Sequence, residues 1–260
     1  MTKQIWGEHQ TSENKIGTIK IGPLTILHKA VANEVWISHS TTDTGDKEII
    51  QDDDYNWSRW ALTGDENTAI RLQPVFPDRP VIVLPEFPFR LVPGADVKIY
   101  TRIPVNVMIT AAGKARRQLT EVPSVIMAKT WFGAFTEGEA CFWLTTRARR
   151  SVSGEVFLPH LVVCPIHIKN SSDAELHVEK LAIRVQRMSI FNLDNKLWSD
   201  NIEIHQKGAG DHSDVHMTGK IPDEAKGAEL IAAPRTPLKK SFAERTFKIL
   251  HDLPGMGIKL

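Results

Sequence analysis

The sequence predicts a mainly β protein: two packed antiparallel sheets, immunoglobulin-like or jelly-roll-like, followed by one C-terminal amphipathic helix. Three observations predict it. The first is the stretch 96–110, DVKIYTRIPVNVMIT, where Val97, Ile99, Ile103, Val105, Val107 and Ile109 share odd positions with Thr101. Asp96, Lys98, Arg102, Asn106 and Thr110 take even ones, so a period of two runs through the stretch and gives one buried and one wet face. The second is the density of proline between 74 and 93, which denies a helix and suits edge strands and corners between sheets. The third is a succession of short apolar runs separated by turn residues.

In chain order, IGTIKIGPLTIL at 16–27 reads as two short strands around a Gly-Pro break, and 35–40 as a third. Residues 43–54 hold six acids against one lysine. The ordered ligand loop of a calcium site, with its turn glycine in place, is missing, so a solvated acidic loop is the expected form. Trp57 and Trp60 flank Arg59 immediately after it. This pair could stack against a partner's planar groups, or cap the end of the core as large aromatics commonly do.

Val92-Pro93-Gly94-Ala95 is a turn feeding the long strand. At about 3.3 Å per residue that strand would exceed ordinary lengths, so it must bend or serve two sheets, with Pro104 as the bend. After strands at 122–132 and 141–146 comes Arg147-Ala148-Arg149-Arg150. With Arg116 and Arg117 it would make the one strong cationic cluster if the two segments met. Beyond it, Val162, Cys164, Ile166 and Ile168 alternate in phase. Leu176 and Val178 are even whereas Leu181, Ile183 and Val185 are odd, and a phase flip of this kind marks a bulge or a strand changing sheets near Glu179-Lys180. Runs at 189–193 and 197–206 predict a hairpin across Asp194-Asn195-Lys196.

The β domain is accordingly placed at 1–220, a linker at 221–236, and the helix with its tail at 237–260. Leu238, Phe242, Ile249, Leu250 and Leu253 fall on one helical face, while Lys239, Lys240, Arg245 and Lys248 lie elsewhere. Such a basic amphipathic segment can lie on an anionic membrane, dock into a partner's groove or pack back on its own sheet.

Composition narrows the function. A net charge of +1 argues against a nucleic-acid-binding role, which calls for a marked basic excess. No apolar run approaches the ~20 residues of a membrane-spanning helix. Cys141 and Cys164 are too few for a disulfide framework and the first residues carry no signal-peptide core, so a cytoplasmic location is expected.

Candidate chemistry is sparse. The set His160, Cys164 and His167 has metal-ligand residue types, but on a strand the first two stand about 13 Å apart and His167 points to the other face. His212, Asp214 and His216, with His205 upstream, would project from one face of an extended segment about 6.6 Å apart, which suits a divalent metal. They are the best ligand set in the chain and support an alternative reading as a metal-assisted hydrolase or lyase; no other cofactor is expected. Nucleophile elbows, phosphate-cradling glycine loops, His-Glu-x-x-His and Cys-x-x-Cys are absent from the sequence. The favoured reading leans away from an enzyme, toward a binding or regulatory module that meets a protein partner. Its contact residues are Trp57, Trp60, Arg147, Arg149, Arg150, Phe242, Lys239 and Lys240. Self-association stays open.

The order of segments adds one expectation. Arg79-Pro80-Val81-Ile82-Val83, Leu91-Val92-Pro93-Gly94 running into Val97-Lys98-Ile99-Tyr100 and Ile103-Pro104-Val105-Asn106-Val107, then Ile166-His167-Ile168-Lys169-Asn170, resembles an uncharacterised archaeal and bacterial family. It is the domain-of-unknown-function family numbered four hundred and thirty-two. The resemblance implies a soluble, mostly β protein without assigned activity, and a mechanosensitive-type membrane channel as a conceivable partner. It supplies no catalytic residues.

Overall fold

The computed structural model describes residues 4–41, 55–63, 68–113, 116–153, 157–208, 212–236 and 242–247. Across them the chain is mainly β, in five sheets. One sheet orders β1 (Gly7–Gln10), β6 (Ala69–Val75), β10 (Asn106–Ala111) and β11 (Gln118–Pro123). A second is the meander β2 (Gly17–Ile21), β3 (Leu24–Val31), β4 (Glu34–Ser40) and β5 (Ser58–Ala61). A third runs β12 (Ala128–Phe132), β13 (Glu139–Trp143), β7 (Val81–Val83), β16 (Leu181–Ile183), and a ribbon joins β8 (Phe89–Leu91) to β15 (Leu176–Val178).

The largest sheet has eight strands: β9 (Asp96–Pro104), β14 (Leu161–Asn170), β17 (Ile190–Leu193), β18 (Lys196–Ser199), β19 (Ile202–Gln206), β20 (His212–Met217), β21 (Glu229–Ala232) and β22 (Phe242–Arg245). Its centre is β14. Strand β9 pairs antiparallel along one edge, from Leu161 opposite Pro104 to Lys169 opposite Asp96. Along the other edge β18 pairs with Val162 and Val163, and β19 with Ile166 through Asn170, both parallel to β14. Strand β13 is likewise parallel to β7. The pairing is therefore mixed rather than purely antiparallel, because β18 and β19 run in the same direction one after the other and together match the length of β14.

Two sequence signals mark the places where the chain changes sheet. The odd-position alternation of 96–110 is continuous, yet β9 belongs to the large sheet while β10 pairs with β6 and β11. The crossover falls at Pro104 and Val105, where proline has no N–H to give to a ladder. In the same way β15 pairs with β8 but β16 pairs with β7, so the phase flip at Glu179-Lys180 is a passage between sheets. The β17–β18 hairpin turns through Asp194 and Asn195 at φ 50° and 63°, two successive left-handed residues of the kind that matches strand twist.

The C-terminal helix is a correction. Residues 242–245 form β22, antiparallel to β20, with Phe242 opposite Val215 and Arg245 opposite His212. Phe247 is buried and bridges Leu181, and Ala182 donates to the Thr246 carbonyl at 3.0 Å. An exposed sheet edge offers unpaired donors and acceptors, and satisfying them outweighs a helical pattern with a modest apolar face. The expected linker also takes part: β21 pairs with β17, a 3-10 turn spans Asp223–Ala225, and Ala225, Ala228 and Ala232 are buried.

One continuous core joins the sheets. It includes Ile19, Ile26, Leu72, Val81, Ile99, Ile103, Val107, Ile166, Leu181, Leu197 and Ile204. A satellite core of Val163, Phe191, Trp198, Ala225 and Ala228 lies on the opposite face of β14. The region 218–228 forms a strap over that second face.

Candidate anion-binding face

The face of β9 opposite the main core carries Lys98, Tyr100 and Arg102. Its free edge is met by the segment after β13, where Tyr100 and Arg149 exchange backbone hydrogen bonds of 2.7 and 2.8 Å in an antiparallel bridge. Continuing that register places Arg147 opposite Arg102 and Ser151 opposite Lys98. The Thr146 hydroxyl donates to the Arg102 carbonyl at 3.2 Å and fixes the register at that end.

Because the segment is extended, its run of arginines is divided. Arg147, Arg149 and Ser151 point to the Tyr100 side and line one recess with Arg102, Val152 and Val163. Ala148 and Arg150 point the other way, into a separate cavity. Among the described residues no acidic side chain pairs with Arg102, Arg147 or Arg149. Arg116 and Arg117 lie beside the β10–β11 turn, and the third guanidinium of the recess is Arg102 instead.

The carboxylate that reaches Tyr100 is already engaged. Glu224, on the strap, accepts from Lys98 Nζ and from Tyr100 Oη, both at 2.6 Å on the same oxygen. Burial disfavours its charge, but those two hydrogen bonds prevail and hold its carboxyl below the usual carboxylate range. Tyr100 moves the other way: burial, then the Glu224 carboxylate it donates to, push its phenol up to about 12. Glu224 is thereby spent on Lys98 and Tyr100, and the charge of the three arginines stays uncompensated. A bound oxyanion would relieve that repulsion and accept bidentate hydrogen bonds from the planar guanidiniums. The space is open to solvent and only about 10 Å³, room for one water-sized group, so the recess itself takes one oxygen of an acidic group while the rest of the ligand stays outside it.

The other sequence candidates fall elsewhere. Trp57 packs against Trp36 with centroids 6.2 Å apart, and the Lys29 ammonium lies over both rings at 4.9 and 4.5 Å. Arg59 covers Trp36 at 3.9 Å, so this aromatic box is filled by the protein's own cations. Trp60 packs against the main core. Lys239 and Lys240 lie outside the described residues, and of Phe242 only the backbone, in β22, is described.

Asp214 and His216 share the more exposed face of β20, while Ser213, Val215 and Met217 are buried. The Asp214 carboxylate is 2.5 Å from Lys207 Nζ. His212 lies on the same strand, its side chain outside the described residues, and among those residues no three His, Cys, Asp or Glu side chains gather in metal-binding proximity. His160, Cys164 and His167 are dispersed as strand geometry requires. Cys164 is buried, its thiol pushed up by burial and directed at the Val162 carbonyl, while His167 pairs with Asp96 at 2.7 Å on the wet face. His160 packs its ring on Gly22, at φ 60° in the β2–β3 turn, where any Cβ would collide with it.

Sequence reading missed Tyr100, Arg102, Ser151 and Glu224. The wet-face positions of Tyr100 and Arg102 were visible in the alternation, but the docking of 147–151 against β9 is a contact between distant segments that no local pattern announces.

A family model described as a protein of unknown function, DUF432, matches residues 5–251, and the chain belongs to that family. Neither the curated proteins nor the solved structures contain a match. Among the described residues no helix is long and apolar enough to cross a membrane.

Proposed function

We propose that this chain is a binding module that recognises an acidic group, phosphate or carboxylate, on a partner through Arg102, Arg147 and Arg149. The observation that carries the reading is that three arginines from two distant segments line one recess and that none of them has an acidic ion-pair partner among the described residues. Val152 and Val163 give the recess an apolar back wall, which lowers the local dielectric and strengthens each charged hydrogen bond.

Titration calorimetry with inorganic phosphate tests it. Saturable binding is expected for the full chain, weakening by at least about tenfold in Arg147→Ala/Arg149→Ala, the order of one lost charge-assisted pair. Raising salt should weaken binding to the wild type much more than to the variant. Equal affinity of the two proteins would sink the proposal.

A metal-assisted hydrolase or lyase built on His212, Asp214 and His216 is the rival. It would need Asp214 to exchange the Lys207 ammonium for an ion. Metal analysis of protein purified without added ions separates the two: content well below one ion per chain, unchanged by His216→Ala, is expected here. Stoichiometric metal lost on that substitution would favour the enzyme.

A further inference from the structure

The even-numbered side chains of the same arginine segment face a second cavity, and it is built differently. Its volume is about 180 Å³, and its walls are Pro85, Phe87, Pro88 and Phe89, with Ile99 and Ala148 as a floor that is itself almost fully buried. The wall is fixed to the floor by backbone bonds: Ala148 N–H donates to the Leu84 carbonyl and Glu86 N–H to the Ala148 carbonyl, each at 2.8 Å. Prolines at 85 and 88 stiffen the loop further. Phe87 nevertheless stands 76% exposed at the rim, a large apolar surface held in water by a rigid support.

Among the described residues, Arg150 supplies the one cation of this cavity. Its guanidinium lies over the Phe89 ring at 4.3 Å, which orients it, and no acidic side chain among the described residues pairs with it. Glu86 also lines the cavity without an ion pair to Arg150.

We infer that the cavity between the 84–89 loop and Ala148 is a binding site for a small aromatic carboxylate, its ring against Phe87, Phe89 and Ile99 and its carboxylate on Arg150. The volume decides the size class: an apolar cavity of about 150 Å³ accommodates benzene, so this one takes a single ring with a short acidic arm. The unpaired guanidinium at the aromatic wall decides the charge. A carboxylate can accept two parallel hydrogen bonds from it while the ring covers Phe87. This site is distinct from the phosphate-type recess on the other side of the segment, since Arg147 and Arg149 point away from it.

The test is a titration of the full chain with phenylacetate, benzyl alcohol and benzylamine, followed by calorimetry and by saturation-transfer NMR of the ligand. Phenylacetate should bind saturably below about 10 mM, and at least about tenfold more tightly than the other two, as expected for one charge-assisted pair. Arg150→Gln, a substitution on an exposed side chain that leaves the floor intact, should remove that preference. Glu86→Gln should hold or tighten phenylacetate binding. The inference is overturned by the absence of saturable phenylacetate binding, by equal affinity for the three ligands, by a preference for benzylamine, or by an undiminished preference in Arg150→Gln.

Discussion

Ile166→Ala is expected to destabilise the protein by about 2–5 kcal/mol, with urea unfolding shifted to a lower midpoint and little change in slope. Ile166 is fully buried at the middle of β14, opposite Ile99 of β9 on one side and Ile202 of β19 on the other. Removing its side chain opens a cavity where three strands meet, and a paired backbone on both edges cannot collapse into it. Leu230→Ala is the control: its side chain is 58% exposed, and the loss there should stay within about 0.5 kcal/mol. A cost below about 1 kcal/mol at Ile166 would mean that β14 is not the centre of the fold. Because β9 carries Tyr100 and Arg102, the same loss should loosen the arginine recess, and phosphate affinity should fall with stability.

What could be read from the sequence depended on how far apart the deciding contacts lie. Pro104 is its own signal, because a missing donor inside a perfect alternation leaves only an edge or a crossover, and a crossover between the large sheet and the β6–β10–β11 sheet is what forms. The flip at Glu179-Lys180 is equally local, since side-chain period fixes which face a strand can bury. Leu181 through Val185 could be placed on a new face without knowing that β7 would be its neighbour.

The parallel pairing of β14 with β18 and β19 was not legible in this way. Alternation states that a strand is half-buried but not which distant strand runs beside it, nor in which direction. The C-terminal segment failed for a related reason. Leu238, Phe242 and Ile249 fit a helical face, but Phe242–Arg245 is recruited to finish the edge of β20, and Phe247 fills a place beside Leu181. Tertiary demand decides between two acceptable local patterns when neither is strong. The candidate site shows both sides at once. Arg147, Arg149 and Arg150 were conspicuous as a run, whereas their division between two faces needed the bridge from Arg149 to Tyr100, and Arg102 came into view only with it.

Asp200 carries the second large effect. It is fully buried, with Oδ1 accepting from Ser189 N–H at 2.9 Å and Oδ2 from Gly219 N–H at 3.0 Å, so one side chain ties β17 and the end of β20 to the β18–β19 junction. Asp200→Ala leaves two backbone donors without their acceptor and should cost about 2–6 kcal/mol, at about 1–3 kcal/mol for each buried group left unsatisfied. Asp200→Asn should cost less, since its single carbonyl oxygen can replace one acceptor while the amide faces the other N–H.

The pH dependence separates charge from hydrogen bonding. Burial raises the Asp200 carboxyl above its ordinary value, against the opposing pull of the hydrogen bonds from Ser189 and Gly219. A folded state that keeps its proton longer than the unfolded chain gains stability that is complete below the unfolded pKa and is lost as pH rises through the raised folded value. The stability difference between wild type and Asp200→Asn should therefore shrink with rising pH across that window, because asparagine has no proton to release. Calorimetric melting of both proteins in a buffer series from pH ~3 to ~8 measures it. A difference that widens with pH would mean that the two N–H groups stabilise the charged carboxylate by more than burial costs it, and the direction assigned to Asp200 would be reversed.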